Sequence, residues 1–503
     1  MAERKSPRGA HARGEEGTGM RAGGALQRGL APAARGFAAR GLVVARAAGH
    51  RDRRAEQAAR PPPLGEEVKY VPPGAGAGLL HESVSGGGGG KPRKRRVALV
   101  FGYTGAGYQG SQLHASLEAA HAGAARQAPG DFPARTLEAE LMRALYVAGG
   151  ILSSNYLAEA KLGWRRMSRT DRGVSAMGNV VTVKLLLADG AADAAWEQDP
   201  EGLTLAAAVN SHLPPAVRVF SVQPVPQSFQ PRRLCSARLY KLWVPAEPAG
   251  LGCARALDRL RAALRSYEGR RPFHNFTQMK RYGEVAPEGS KGLGATEGMR
   301  WLPVGGGGSP PGERGVHAAH YRRVISFECG PPRELVPGSG REFVEVTVKG
   351  ESFMYNQIRH MVGTALAVSA GSMSLELLEC ALSEPARMGR LPLAPPETLV
   401  LMQSDFPPFR GPGGSPAGEG GTRRLELGAG GLRLQRDFWN SQLAVHISGS
   451  GTGEAWDGFF EGLRTACQDA FEPGGRVHHI VSPGEMVRLH REWAQGEAEA
   501  GEP

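Results

Sequence analysis

Apolar residues follow two rhythms along this chain of 503 residues. Val97, Leu99 and Phe101 recur at every second position from Arg96 onward, the spacing of a strand, and that strand runs into the glycine loop GYTGAGYQG at 102–110. Leu137, Leu141, Ala144 and Leu145 instead share one stripe of TLEAELMRALYVAGG at 136–150. With Thr136 as N-cap and Gly149 as stop, this predicts a core-facing helix. Val180–Leu187 and Val219–Val225 read as strands, and Leu257, Leu260 and Leu264 place a helix over Ala256–Tyr267. Val344, Val346 and Val348 alternate through Phe343–Lys349, while Ile358, Met361, Val362 and Ala365 share one face of Met354–Ser369. The second half repeats the plan of the first, helices against strands. The expected fold class is α+β, two α/β subdomains with mixed or antiparallel sheets.

The pattern also sets boundaries. Residues 1–94 are rich in Gly, Ala, Arg and Pro, include the tract Gly86–Gly90 and carry almost no aromatics. Such a segment cannot bury enough surface to offset chain entropy and is expected to be a disordered basic arm. Residues 95–250 and 251–406 form the expected subdomains, with a loop insertion at 283–320. Residues 407–503 form a linker and an extension whose Phe438, Trp439, Trp456, Phe459, Phe460 and Leu463 suffice for one or two docked helices.

Charge changes the picture more by its position than by its sum. The formal net charge is +12, which favours a polyanionic partner. Residues 1–96 hold 19 Lys/Arg against 8 Asp/Glu, however, leaving 42 against 41 in the rest. A nucleic-acid surface on the folded part therefore has to come from local segregation of charge. Met20–His50 carries five arginines and no acid, the composition of an organellar presequence if translation begins at Met20, or of a plain basic arm. KPRKRR at 91–96 reads as a nuclear signal or as the solvated start of the first strand. The expected location is the nucleus, the mitochondrion or both. The five cysteines are widely spaced, without metal-binding or secretory pattern, and fit a reducing compartment. No apolar run approaches the roughly 18 residues that span a bilayer, so no membrane partner is expected.

Two stretches carry candidate chemistry. Gly105-x-Gly107-x-x-Gly110 follows a strand, as a dinucleotide fingerprint would, but the fingerprint needs a second strand ending in an acid about 20 residues on. Ala124–Pro133 is a polar loop there, so a glycine-rich turn is expected and no nucleotide cofactor. In SRTDRGVSAMG at 168–178 a carboxylate, Asp171, stands between Arg169 and Arg172. One reading is a turn before a strand; the other is an ionised catalytic group kept charged by flanking cations.

Blocks spread from Arg96 to Phe406 resemble, in order, the TruA family of tRNA pseudouridine synthases, nearest its eukaryotic multisite branch. They are RVALVFGYTGAGYQGSQ, RTLEAELMRAL, SRTDRGVSAMGNVV, CSARLYKLWVP, FHNFTQ, VKGESFMYNQIRHMVG and APPETLVL. The resemblance implies the pseudouridine synthase fold, with two subdomains around a central RNA-binding cleft. It implies isomerisation of specific uridines in tRNA, and in other structured RNAs, with no metal or cofactor. Asp171 is the implied catalytic aspartate, and covalent attack on sugar or base and elimination across the ribose are both open to it. Arg359 is the implied partner of Asp171, and Arg169 the residue inserted into the RNA stack when the uridine flips out. Tyr240 would stack on the uracil and help move a proton, and Leu399 would pack on the base. The family's second aromatic after Tyr240 is here Leu242, followed by Trp243. Arg172, His274 and Asn275 are candidate substrate-binding residues, the last two with a structural alternative. Arg165, Arg166, Arg232, Arg233, Lys280, Arg281, Arg322 and Arg323 are candidate groove cations. A noncatalytic RNA-binding or RNA-folding protein on the same scaffold is the competing class. Phosphate binding alone would not call for the acidic member of the set.

Overall fold

Strand β1 (Arg93–Tyr103) starts before its apolar alternation does, because Arg93–Arg96 pair with Leu187–Lys184 of a longer antiparallel neighbour. Backbone pairing extends the strand past the end of its side-chain pattern. Arg96 is buried there, its Nη2 donating to Thr182 Oγ1 (2.7 Å), and burial pulls its pKa down to about 10. The computed structural model describes residues 93–113, 136–187, 196–277, 300–301, 316, 318–388, 391–410, 422–468 and 482–500. The basic arm through residue 92, Lys280, Arg281 and most of the 283–320 insertion lie outside the described residues.

Helix α1 (Leu137–Val147) is the expected one: Thr136 Oγ1 accepts from Ala139 N (3.4 Å), and Leu137, Leu141, Ala144 and Leu145 are buried. Its Glu138 is buried as well, accepting from Leu113 N (2.9 Å) and from Arg166 Nε (2.6 Å). Arg166, a candidate groove cation, thus spans Glu138 and Glu159 as a strut. It lies on β2 (Arg165–Arg166), which pairs with β3 (Ser175–Leu187).

There follow α2 (Leu203–Asn210), β4 (Val217–Pro224), β5 (Ala237–Pro245), α3 (Ala254–Arg265), β6 (Gly269–Pro272) and β7 (Arg300–Trp301). Then come β8 (Tyr321–Glu334), β9 (Glu342–Gly350), α4 (Gln357–Ser369), α5 (Leu375–Ala381), β10 (Ala386–Arg387) and β11 (Leu399–Asp405). Nine strands form one sheet in the order β4, β1, β3, β11, β5, β9, β8, β6, with β2 also on β3; β7 and β10 pair separately. The architecture is α+β, as expected, and its two halves meet within one continuous sheet. Among the described strands of that sheet every pairing is antiparallel except β3 with β11, where Ser175 faces Val400 and Ala176 faces Leu401. Parallel neighbours begin at the same end, so the loops that precede β3 and β11 are placed side by side.

The apolar stripes of α1, α3 and α4 fill the core on one face of the sheet. The other face presents Met177, Phe220, Trp243, Phe343 and Val400, and the C-terminal extension covers it with Phe438, Leu443 and Ile447. Burying each of these three is worth about 1.5–3 kcal/mol. They sit on α6 (Ala429–Phe438), a π-helical turn at Trp439–Leu443 and a last turn at Ala444–Ile447. Glu201 fixes where α6 begins: its Oε1 accepts from Gly430 N (3.1 Å) and Oε2 from Gly431 N (2.8 Å), an anion on a helix N-terminus. A Cβ on Gly431 would stand 2.9 Å from the same carboxylate, so the glycine admits its partner. Two further helices follow, α7 (Ser450–Gln468), with Trp456 stacked on Phe460 at 5.6 Å, and α8 (Pro483–Ala500), anchored by buried Met486. The aromatic residues singled out in the sequence stop short of α8, which docks through Met486 and the partly buried Val487 and through an ion pair of Arg491 with Glu376.

Glu201→Ala leaves two helix-terminal N–H groups without their acceptor. It is expected to lower stability in urea unfolding by about 1–2 kcal/mol; an unchanged midpoint would mean that the apolar residues alone dock α6.

Candidate active site

The Asp171 loop lies between β2 and β3. Val174 N donates to Asp171 O (3.1 Å), and Gly173 sits at φ +84°, which fits a type II turn whose third residue needs a glycine. The turn reading therefore holds for the backbone, and it leaves the half-buried Asp171 side chain available for chemistry.

Buried groups clamp this turn from behind. Thr170 N donates to Ser111 Oγ (2.9 Å) and Ser111 N to Thr170 O (3.3 Å), while the Thr170 and Tyr103 hydroxyls lie 2.8 Å apart. Asn179 Nδ2 donates to Tyr103 Oη (3.1 Å) and to Ser168 O (3.3 Å). Gly105 N donates to Ser175 Oγ (3.0 Å), and a Cβ at Gly105 would lie 2.5 Å from the Gly173 carbonyl carbon. The glycine loop after β1 thus serves close backbone approach to the Asp171 turn.

Tyr240 reaches the same place from β5, where it pairs with Leu401. It is 7% exposed, its hydroxyl is 3.5 Å from Ser168 Oγ, and its ring meets Phe353 edge-on at 5.5 Å. Burial pushes its phenol pKa up; the Ser168 hydrogen bond opposes this and the charge of Asp171 adds to it. Leu399, 4% exposed, opens β11 opposite Leu242.

Arg359 comes from the first turn of α4. Its Nε donates to Ala394 O (2.6 Å), and Ala394 N donates back to Arg359 O (3.1 Å), so helix and pre-β11 segment are locked both ways. Nη1 donates to Asn356 Oδ1 (3.2 Å), and Asn356 holds φ +60°. That conformation is uncommon outside glycine, and asparagine is among the residues that tolerate it best. Burial pulls the Arg359 pKa down, and the negative charges of Asp171 and Glu397 hold it up. Asp171, Tyr240 and Arg359, from three separate parts of the chain, are therefore neighbours within electrostatic reach.

Arg169 and Arg172 are both exposed on the Asp171 loop. His274 and Asn275 are enclosed instead: His274 is fully buried with Nε2 2.7 Å from Ala386 O, and Asn275 Nδ2 donates to Ala381 O (2.9 Å) and Ala386 O (3.1 Å). Asn275 Oδ1 also accepts from Met388 N (2.9 Å). The substrate-binding expectation for this pair is corrected to its structural alternative, because their polar atoms fasten the chain between α5 and β10. Sequence reasoning also passed over Tyr103, Ser111, Asn179, Phe353, Asn356 and Glu397. All six lie within the blocks quoted above, which is their positional signal; what each one does comes from long-range packing.

Residues 317–407 match the model of the tRNA pseudouridine synthase family. The pseudouridylate synthase 1 homolog of Mus musculus is 29% identical over 326 residues, covering 62% of this chain and 61% of that protein. The homolog of Homo sapiens is 28% identical over 324 residues, 62% and 60%. Both the family match and these relatives point the same way: the chain is similar to tRNA pseudouridine synthases. The tRNA pseudouridine synthase 1 of Eremothecium gossypii is 36% identical over 152 residues, 30% of this chain and 23% of that one. The chain thus spans about three fifths of the length of the mammalian relatives it matches.

Gly105→Ala tests the clamp on this turn. A methyl group 2.5 Å from backbone atoms forces the Asp171 turn to move, and a shift of about 1 Å is expected to cost about 100-fold in activity with the fold retained by circular dichroism. Wild-type activity in this variant would show that the approach of the glycine loop is dispensable.

Proposed function

We propose that this protein is a tRNA pseudouridine synthase that isomerises specific uridines in tRNA and other structured RNA, with Asp171 as its catalytic carboxylate. The observation that carries the reading is the convergence of Asp171, Tyr240 and Arg359 on one turn. The reaction breaks the N1–C1′ bond of uridine, turns the base and joins C5 to C1′; C5 loses a proton and N1 gains one, so atoms balance without a redox partner. One ionised carboxylate beside a retained guanidinium supports the C1′ step by either route open to Asp171. Tyr240, kept neutral by its raised pKa, can donate a hydrogen bond or pass a proton while its ring lies along the uracil. Arg169, exposed three residues after Arg166 is tied down at the end of β2, suits insertion into the gap left by the flipped base. Leu399 offers the base an apolar wall.

Asp171→Asn keeps the shape of the side chain and removes its charge. Pseudouridine formation on tRNA transcripts is expected to fall by at least about 1,000-fold, with RNA affinity within a few-fold of wild type. Unchanged pseudouridine yield would remove Asp171 as the catalytic group. Tight RNA binding by a wild-type protein that isomerises no tRNA would favour the noncatalytic RNA-binding reading.

A further inference from the structure

One ionisable group at the site has no role in the account above. Glu397 lies in the Pro396–Leu399 turn, closed by Leu399 N donating to Pro396 O (3.1 Å). This turn faces the Asp171 turn: a Cβ on Gly173 would stand 2.9 Å from Pro396 Cγ and 4.0 Å from Glu397 Oε1. Glu397 Oε2 is buried and accepts no hydrogen bond. A carboxylate oxygen in that state works against folding, and a glutamine or leucine would pack there at lower cost. The backbone N–H of Glu397 itself opposes that cost first, and the positive charges of Arg359 from α4 and Arg172 from the Asp171 turn add to it.

We propose that Glu397 is a positioning residue for the isomerisation: its ionised carboxylate fixes the guanidinium groups of Arg359 and Arg172 beside the turn that presents Asp171. The inference rests on the function proposed above. Arg359 already donates to Ala394 O and Asn356 Oδ1, and its charge is shared between Asp171 and Glu397. A planar guanidinium held by two fixed acceptors has little freedom to rotate, and the two nearby negative charges favour its charged form.

Burial raises the Glu397 pKa above the usual carboxylate range, and Arg359 and Arg172 oppose the rise. The charged or titratable groups around this pair are Asp171 on the turn, Tyr355 before α4 and Tyr240 on β5, the last kept neutral by burial. Because the folded-state pKa of Glu397 lies above its unfolded value, the stability it contributes is present at low pH and is lost as pH rises through its titration. A glutamine at this position escapes that loss.

The test is Glu397→Gln in the full chain, assayed on tRNA transcripts. The expected result is a kcat lower by about tenfold, a KM within about threefold of wild type, and a melting temperature at neutral pH equal to or above wild type. The acid-side fall in kcat that accompanies Glu397 protonation in the wild type should flatten in the variant. Unchanged kcat and pH profile overturn the proposal. A lowered melting temperature with the wild-type pH profile also overturns it, since Glu397 would then be a packing residue. Wild-type protein that forms no pseudouridine would overturn the reading on which the inference rests, and the inference with it.

Discussion

The parallel pairing of β3 with β11 is the constraint from which the site follows. Ser175 beside Val400 obliges the residues before them to be neighbours, and these are the Asp171 turn and the Pro396–Leu399 turn. Had β11 run the other way, its first residue would lie at the far end of a seven-residue strand, about 20 Å off. The other participants are tied to the same seam. Tyr240 pairs with Leu401 of β11, and Arg359 exchanges two hydrogen bonds with Ala394, five residues before that strand. One backbone register thus brings together groups 69, 119 and 188 positions apart in the chain.

Charge is organised around the same place. Beyond residue 96 the chain holds nearly equal numbers of cations and anions, so a surface for RNA depends on which cations are already engaged. Arg166 is spent on Glu138 and Glu159, Lys241 and Arg333 on Glu345, and Lys349 on Asp405. Arg169 and Arg172 are exposed on the very loop that carries Asp171. Glu138, Glu159, Glu345 and Asp405 are thus engaged in internal ion pairs, while Arg169 and Arg172 are exposed beside Asp171.

How much of this was legible in the sequence depends on the range of the forces involved. Elements with a strong local period, such as α1, α3, α4 and β9, could be read directly, since amphipathic spacing reports which face meets the core. The start of β1 could not, because pairing with β3 extends it through four basic residues. The motif around Asp171 was visible as a block, but not what holds it: Ser111, Tyr103 and Asn179 lie 60 to 68 positions before it or just after it and carry no spacing signal. His274 drew notice as a histidine beside an asparagine; its flanking aromatics favoured an interior role, and it is buried with Nε2 2.7 Å from Ala386 O. The glycine loop was legible as a turn, yet its close approach to the Asp171 turn exists only in three dimensions.

The C-terminal extension belongs to the same logic. β3 is buried on both faces over nearly its whole length, so a cover on the second face is obligatory. α6 supplies it, and Gln435 Nε2 donates to Met177 O (2.7 Å), six residues after Asp171 on the strand that the Asp171 turn feeds. The turn is therefore held by α4 and the glycine loop on one side of the sheet, while α6 stiffens the strand from the other. Catalysis by a positioned carboxylate demands a supporting shell that does not yield when substrate is bound. A sheet packed on one face alone would let β3 flex toward solvent, and Asp171 would move with it.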